Sequence, residues 1–392
     1  MMQPLRFPDT RRALALLAGV VAFATAFAGV AAAQTPAPSA TQTRPAAGGN
    51  RVPAALRVNA MWIWELSRSD GGDIVAIGTR AKAAGFGAVY VKSADAGKVW
   101  SQFTPEAVAA LKAQGLRVCA WQFVYGRRPV AEARAGALAA SYGADCLIID
   151  AETSYEGRYW AAGRYMSVLR SKVGPRFPLA LTSFPYVDYH PKLPFSVFLG
   201  PHGAQVNMPQ VYWKDIGHEL ADSMSWTMRV NRVYDRPILP IGQTYQSPTS
   251  PEIGTFRTLA AGYGAASISW WEWAATPARL WTALAQPLVQ PVDDAILDPG
   301  YPLLVKGNKG DLVRRLQRLL RRTGRRVFIN GRFDTLTLNA VTSLQQRRGL
   351  PVTGKVDATT WQVLLRRPVT PAPSPPPQDA PTGGVAADVT SR

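Results

Sequence analysis

Two carboxylates stand two residues apart in the run Ile149-Asp150-Ala151-Glu152. If this run is a β-strand, Asp150 and Glu152 project from the same face, about 6.6 Å apart along the backbone. Two carboxyl groups this close push their pKa values apart, so one can keep a proton and act as a general acid. Glycoside cleavage needs such a pair, with an acid on the leaving oxygen and a nucleophile, base or stabiliser beside it. In the alternative, structural interpretation, Asp150 caps the following loop while Glu152 pairs with Arg158 or Lys92.

Two further carboxylates are candidates for the same chemistry. Glu272 lies in the run Trp270-Trp271-Glu272-Trp273, and Glu65 follows Trp64 near the start of the domain. We expect them to be neighbours, because the first and last strands of a closed sheet lie side by side. Glu272 can equally make a structural hydrogen bond under the tryptophans, and Glu65 can cap the loop that follows it.

Short apolar runs rich in β-formers must position these acids. They recur about thirty residues apart, the length of one strand, one helix and two loops. Several follow an alanine-rich helical stretch that ends in glycine, such as 81–85, and glycine just past a helix end is a C-cap signal. Eight such units predict an α/β fold, a (β/α)₈ TIM-like barrel at 57–290, with a doubly wound open sheet as the alternative. The runs begin at Ala60, Ala88, Arg117, Cys146, Leu179, Gln205, Ile238 and Ala266.

In such a barrel, chemistry belongs at the carboxyl ends of the strands. The predicted strand ends are rich in amides, aromatics and one lysine, which suit a carbohydrate cleft because flat rings stack on sugar faces and amides bond hydroxyl groups. Any one of these residues can also be ordinary packing. The candidate substrate-binding residues are Lys92, Trp121, Gln122, Gln210, Tyr212, Gln243, Trp271 and Trp273.

A separate small domain follows at residues 300–367. Leu316-Gln317 and Leu344-Gln345 begin similar segments, Asn330-Gly331 marks a turn, and Thr360-Trp361-Gln362-Val363-Leu364 closes the domain. The apolar spacing predicts three short helices. Between residues 306 and 367 there are 15 Lys or Arg against three Asp, so this segment holds +12 of the chain's +18.

This segment resembles the three-helix peptidoglycan-binding module at the ends of bacterial wall hydrolases. The resemblance implies peptidoglycan, an anionic polymer, as the partner, and a module that raises the local substrate concentration through a tether. The basic surface alone would also suit nucleic acid. The wall motif favours peptidoglycan, and we expect no nucleic-acid partner.

The Asp-x-Glu pair resembles that of the barrel lysozymes of glycoside hydrolase family twenty-five, which cut the link from muramic acid to glucosamine. By that resemblance Glu152 is the acid/base, and Asp150 stabilises or orients the reacting centre. The lysozyme family begins its first strand with an Asp, whereas this chain has Trp64-Glu65.

The first 33 residues have the pattern of a secretory signal peptide. Arg6, Arg11 and Arg12 precede an apolar run that ends in small residues, and we expect cleavage after Ala33 rather than an uncleaved membrane anchor. Residues 34–56 and the Pro-rich tail 368–392 have the composition of disordered spacers. We therefore expect an exported monomer in the periplasm or at the cell wall, with no membrane contact after processing.

The sequence does not show the residue patterns that metal-dependent or cysteine-dependent wall enzymes need. His190, His202 and His218 show no metal-ligand spacing, so we expect no metal and no cofactor. Cys119 and Cys146 lie in predicted strands and are expected to be buried free thiols rather than a bridge or a nucleophile. The sequence therefore predicts a glycan-strand hydrolase. The alternatives are an inactive barrel that binds or scaffolds the wall, and a glycosidase for another extracellular polysaccharide.

Overall fold

The computed structural model describes residues 52–287 and 297–366. The expected signal peptide, the tail and nearly all of the first spacer lie outside the described residues. The spacer was expected to reach residue 56, but Val52, Ala55 and Leu56 are buried and belong to the apolar cluster inside the sheet. Packed structure therefore begins before residue 57.

Eight parallel strands form a nearly closed barrel. Each pairs with its neighbour in chain order, and the first strand also pairs with the last, through Ala60↔Ser269. The sixth and seventh barrel strands in chain order are joined by the isolated parallel bridges Asn207↔Ile238 and Gln210↔Ile241. The predicted (β/α)₈ barrel is thus confirmed, and the open doubly wound alternative is wrong. The strands are β1 (Ala60–Ile63), β2 (Ala88–Asp95), β3 (Lys98–Val99, a short antiparallel partner of β2 outside the barrel), β4 (Arg117–Val124), β5 (Cys146–Ala151), β6 (Leu179–Ser183), β7 (Val206–Pro209), β8 (Ile241–Gln243) and β9 (Ser269–Trp271).

Helices cover the outside of the barrel and build the C-terminal domain. Several have side-chain caps: Asp73 accepts hydrogen bonds from Val75 N and Ala76 N, and Thr249 and Glu252 form a capping box. In the described part of the chain, no helix has both the length and the apolar character that a membrane crossing requires. The helices are α1 (Ile74–Ala83), α2 (Pro105–Ala113), α3 (Pro129–Ser141), α4 (Tyr159–Val173), α5 (Phe195–Phe198), α6 (Trp213–Ile216), α7 (Leu220–Asn231), α8 (Ser250–Gly262), α9 (Ala278–Leu284), α10 (Asp311–Arg322), α11 (Thr335–Arg347) and α12 (Ala358–Leu364).

Alternate residues of each strand separate two apolar clusters. In β4, Val118 and Ala120 pack toward the helices, while Cys119 and Trp121 belong to the cluster inside the barrel. The interior is filled by large rings, with Trp62 in edge contact with Tyr90 at a centroid distance of 5.3 Å. Because the side-chain period of a strand is two, this separation decides which candidate residues can face the interior.

Cys119 and Cys146 form a disulfide, so the prediction of free thiols is wrong. The two residues are direct register partners in β4 and β5, with their Cα atoms 4.6 Å apart and both side chains inside the barrel. That separation lies within the range that a bridge spans. The register between two strands places the thiols together, and register cannot be read from either strand alone.

The C-terminal domain is a three-helix unit held by two buried glutamines. Gln317 accepts a hydrogen bond from Gly331 N at 2.9 Å, and Gln345 accepts one from Gly354 N at 3.0 Å. Each amide nitrogen also donates to the adjoining turn and to a threonine of the next helix, Thr337 for Gln317 and Thr360 for Gln345. The two Leu-Gln pairs of the sequence therefore hold equivalent turns, which explains their recurrence.

The C-terminal domain is packed against the barrel through Asp311, the first residue of α10. The Asp311 carboxylate is fully buried and accepts hydrogen bonds from Ser196 N, Ser196 Oγ and Tyr234 OH at 2.7–2.8 Å. Its backbone N–H donates to Pro191 O, and a Cβ on Gly310 would lie 2.6 Å from Pro191 Cβ. Arg315 Nε also donates to Val233 O. These contacts fix the domain on the barrel, whereas the sequence had suggested action through a tether.

Candidate active site

The two acids of the Asp-x-Glu run lie at the carboxyl end of β5. Ile149 and Ala151 pack toward the helices, which leaves Ile148, Asp150 and Glu152 on the other side of the strand. Asp150 is 6% exposed, and Glu152 is half-buried. Their backbone is held by Ser183 Oγ of β6, which donates to Ala151 O at 2.6 Å. The strand thus presents the buried Asp150 beside the more exposed Glu152.

Gln210 joins the two acids. Its Nε2 donates to Glu152 Oε1 at 3.1 Å and lies 3.4 Å from Asp150 Oδ1. Gln210 follows β7 and is itself fixed by the bridge to Ile241 of β8. A side chain positioned by β7 and β8 therefore orients the acids of β5.

Both carboxyl groups bind protons more tightly than an exposed acid does. Burial, followed by the charge of Glu152, raises the pKa of Asp150 well above its usual value, while Lys92 lowers it. Burial also raises the pKa of Glu152, against hydrogen bonds from Gln210 and Asp150 and the nearby His190. The two carboxyl groups interact directly, and each shifts the pKa of the other. The pair therefore retains a proton at pH values where an exposed carboxyl would have lost it.

Lys92 is the basic neighbour of the pair. Its side chain is buried in the interior, with Nζ 3.1 Å from Asp95 Oδ2 and 4.1 Å from the centroid of the Trp121 ring. Burial lowers the pKa of Lys92, and Asp95, Asp150 and Glu152 oppose this shift. Asp95 was not among the predicted site residues; β2 brings it beside Lys92 because the strand continues to Asp95 through a bulge after Lys92.

Tryptophans form one wall of the site. The Trp271 ring lies 5.3 Å from Trp121, 5.6 Å from Trp62 and 6.2 Å from Trp64, measured between centroids. Trp121 and Trp62 are buried, whereas Trp271 is partly exposed and Trp64 is 37% exposed. Trp64 and Trp271 are therefore the rings that a sugar can reach, and the buried Trp121 packs against Trp271.

A tyrosine pair adds a second aromatic surface. Tyr212 and Tyr245 are half-buried and make an edge contact at 5.6 Å between centroids. Burial raises the pKa of both phenols, and the charge of Glu152 raises both further. Both hydroxyl groups therefore stay protonated as hydrogen-bond donors. Tyr212 was a predicted site residue and Tyr245 was not.

Three of the predicted substrate-binding residues make structural contacts outside the site. Gln122 is directed toward the helices, where its amide donates to Ala96 O and Glu132 O and accepts from Tyr165 OH. Trp273 is buried in the outer cluster against Trp281. Gln243 is fully buried and holds the loop after β7, accepting from Lys214 N.

The other two candidate acids lie at turns. Glu272 is 8% exposed, and its carboxylate accepts hydrogen bonds from Ala275 N at 3.1 Å and Ala274 N at 3.4 Å. Glu65 precedes a short 3-10 turn, and its carbonyl accepts from Ser69 Oγ. Burial raises the pKa of Glu272, while its backbone hydrogen bonds, including one from Trp64, lower it. These contacts match the structural interpretation of Glu272.

His190 is a neighbour of Glu152 that sequence reasoning missed. Its Nδ1 lies 2.9 Å from Glu156 Oε1, and its ring stacks on Phe184 at 3.6 Å between centroids. It lies in the loop after β6, and no motif in the sequence marks it. Over residues 52–287 and 297–366, no group of three or more His, Cys, Asp or Glu side chains is placed to hold a metal ion.

Comparison with known proteins identifies the C-terminal domain. Residues 309–364 match the family described as "Putative peptidoglycan binding domain", which confirms the predicted module. No curated protein matches the chain.

Two solved structures are more than 30% identical in sequence to short parts of this chain. A peptidoglycan-binding protein from Clostridioides difficile is 37% identical over 17% of this chain and 41% of its own, with a TM-score of 0.17. A Burkholderia AP3 phage endolysin is 34% identical over 16% of this chain and 25% of its own, with a TM-score of 0.16. This chain therefore spans less than half of either protein.

A third solved structure aligns over a longer stretch at low identity. A chitinase from Chromobacterium violaceum is 13% identical over 59% of this chain and 99% of its own, with a TM-score of 0.43. The resemblance to the barrel lysozymes remains a prediction from the sequence.

Proposed function

We propose that this protein is an exported, peptidoglycan-binding glycan-strand hydrolase with muramidase-like activity. The observation that carries the proposal is the acid pair at the carboxyl end of β5, in which Gln210 donates to Glu152 beside the buried, hydrogen-bonded Asp150. The apolar run at the start of the sequence supports export, and the domain at 309–364 supports the choice of substrate.

Glu152 is the acid/base in this proposal. It is the more exposed member of the pair, so its carboxyl group can approach a glycosidic oxygen, and its raised pKa favours the protonated form that must donate. Asp150 is too buried to do so. By holding a proton in a hydrogen bond with Glu152, it positions that carboxyl and supplies a nearby proton.

Asp150 is not the second carboxylate of a standard glycosidase pair. Retaining enzymes keep their two carboxyl groups about 5–5.5 Å apart, and inverting enzymes about 6.5–9.5 Å, to admit the sugar or a water. One amide nitrogen, Gln210 Nε2, contacts both carboxyl groups, and Asp150 is 6% exposed, which leaves no such space between them. The group that attacks the anomeric carbon is therefore separate from this pair, and the anomeric configuration of the product will identify its kind.

The C-terminal module supplies affinity for the wall. It holds +12 of the chain's net charge of +18, which suits an anionic polymer. Because Asp311 fixes it on the barrel, it presents bound glycan in a restricted set of orientations rather than over the range of a flexible linker.

A second candidate is a barrel that binds or scaffolds the wall without cleaving it. The observation in its favour is that Asp150 is 6% exposed and lies close to the buried Lys92. The charge of Lys92 can stabilise the Asp150 carboxylate in a barrel that performs no catalysis. A third candidate, a glycosidase for another extracellular polysaccharide, predicts weak binding to purified sacculi.

Digestion of purified sacculi tests the choice of substrate and bond. We expect the protein lacking residues 1–33 to release soluble muropeptides, with reducing ends at muramic acid when the products are analysed by mass spectrometry. Reducing ends at glucosamine would replace the muramidase assignment with the other glycan bond. Cleavage of other glycans but not of sacculi would support the third candidate.

A further inference from the structure

A basic cavity lies where the barrel meets the C-terminal domain, away from the acid pair. It has a volume of about 550 Å³, and its lining combines α4, the loop after α5 and one side chain of α10. Three arginines line it, Arg170, Arg236 and Arg318, together with the exposed His202. Among the described residues that line the cavity there is no Asp or Glu.

Arg318, the contribution of the C-terminal domain, has an incomplete set of partners. Its Nε is buried and makes no hydrogen bond in the described structure. Burial lowers the pKa of Arg318, and the neighbouring Arg314 and Arg322 lower it further, while Asp311 opposes them. The Asp311 oxygens already accept from Ser196 and Tyr234. A buried guanidinium N–H without a partner is costly, and an acceptor bound in the cavity would reduce that cost.

The two barrel arginines supply charge in different ways. Arg170 donates all five of its N–H groups to protein oxygens. It therefore contributes its positive charge to the cavity but no free hydrogen-bond donor. Arg236 donates from Nε to Leu199 O and from Nη2 to Gly200 O, and its side chain lines the cavity. Like charge from Arg236 lowers the pKa of Arg170, and burial is the larger cause. These arginines repel one another in the free protein, and Asp235 relieves Arg236 only in part.

We propose that this cavity, which we call the junction site, binds an oxyanion, a phosphate or carboxylate group of an acidic wall polymer. Arginine is suited to such groups because its planar fork matches two oxygens at once. The bound anion would accept from Arg318 of one domain and Arg236 of the other, and would relieve the repulsion within the cluster. This inference does not depend on whether the barrel cleaves glycan.

Thermal unfolding with two small probes tests the junction site. Pyrophosphate stands for a phosphate source and citrate for a carboxylate source, each titrated at constant ionic strength. A ligand that binds the folded state raises the unfolding midpoint in a saturable way. We expect such a rise with at least one probe, and the probe that binds at lower concentration indicates the chemical source.

Matched charge variants distinguish binding of the probe at a defined site from general electrostatic attraction to the basic surface. We expect Arg318→Gln to raise the probe concentration for half-saturation about tenfold, the usual effect of losing a hydrogen bond to a charged group. Arg318→Lys retains the charge without the fork and should give an intermediate loss. Arg321→Gln removes an exposed charge from the same helix and should leave binding within about twofold of wild type. The proposal is overturned if neither probe stabilises the wild type, or if Arg318→Gln and Arg321→Gln behave alike.

Discussion

Gln210 Nε2 lies 3.1 Å from Glu152 Oε1, so a residue that follows β7 holds the more exposed acid at the end of β5. The hydrogen bond favours the charged form of Glu152 and lowers a pKa that burial raises. One amide thus adjusts both the orientation and the proton affinity of the group to which we assign acid/base catalysis.

Replacing Gln210 should move the pH dependence of activity. In Gln210→Leu the charged form of Glu152 loses a donor, so its pKa rises and the alkaline limb of the rate profile moves to higher pH. We also expect kcat/KM on sacculi to fall roughly tenfold, because a hydrogen bond to a charged group is lost. The profile is measured by the release of reducing ends across pH. An alkaline limb that stays in place or moves to lower pH would contradict the role of Gln210.

Asp150 should lower stability at neutral pH. Its raised pKa means that the folded state binds a proton that the unfolded state has released, so the free energy of unfolding falls as pH rises above about 4. Asp150→Asn removes that dependence, and we expect its stability to decline less than that of wild type between pH 4 and 7, with reduced glycan release. Chemical denaturation at a series of pH values measures the slope. Parallel slopes for the two proteins would show that Asp150 titrates normally.

The Cys119–Cys146 bridge should stabilise the barrel. It closes a loop across a sequence separation of 27, for which removal costs about 3 kcal/mol of unfolding free energy. We expect the Cys119→Ala, Cys146→Ala double variant to unfold at lower guanidinium concentration and to be insensitive to reductant. Two reactive thiols in the denatured wild type, prepared without reductant, would show that the bridge does not form.

Asp311 should hold the C-terminal domain in place. Asp311→Ala leaves Ser196 N, Ser196 Oγ and Tyr234 OH without their buried acceptor, a loss of about 2–3 kcal/mol. We expect a larger radius of gyration in small-angle X-ray scattering, because the domain is released. Asp334→Ala is the control, since Asp334 caps α11 without touching the barrel in any of its described hydrogen bonds. An unchanged radius in Asp311→Ala would mean that other contacts fix the domain.

The sequence predicted the fold and the acid pair because both depend on local patterns. Strand spacing indicated eight units, and the position of Asp150 and Glu152 at a strand end was sufficient to place them together. The period of two could also have corrected one error. Trp121 and Gln122 are adjacent in β4, so only one of them can face the interior, and it is Trp121.

Features that depend on relations between segments could not be predicted. The disulfide needs the register of β4 against β5, and Asp95 reaches Lys92 only because β2 continues through a bulge. The packing of Asp311 against Ser196 joins residues 115 positions apart. No pattern within a single strand or helix carries this information.

The most direct test of the account compares wild type with Glu152→Gln on purified sacculi, measuring soluble reducing ends and pelleting in the same samples. Glu219→Gln is the control, because Glu219 is an exposed acid far along the chain from the pair. We predict that wild type and Glu219→Gln release reducing ends, whereas Glu152→Gln pellets normally and releases less than about one hundredth as much. Release by Glu152→Gln at the wild-type rate would contradict the assignment of Glu152. Pelleting by all three proteins without any release would show a wall-binding protein whose barrel does not cleave glycan.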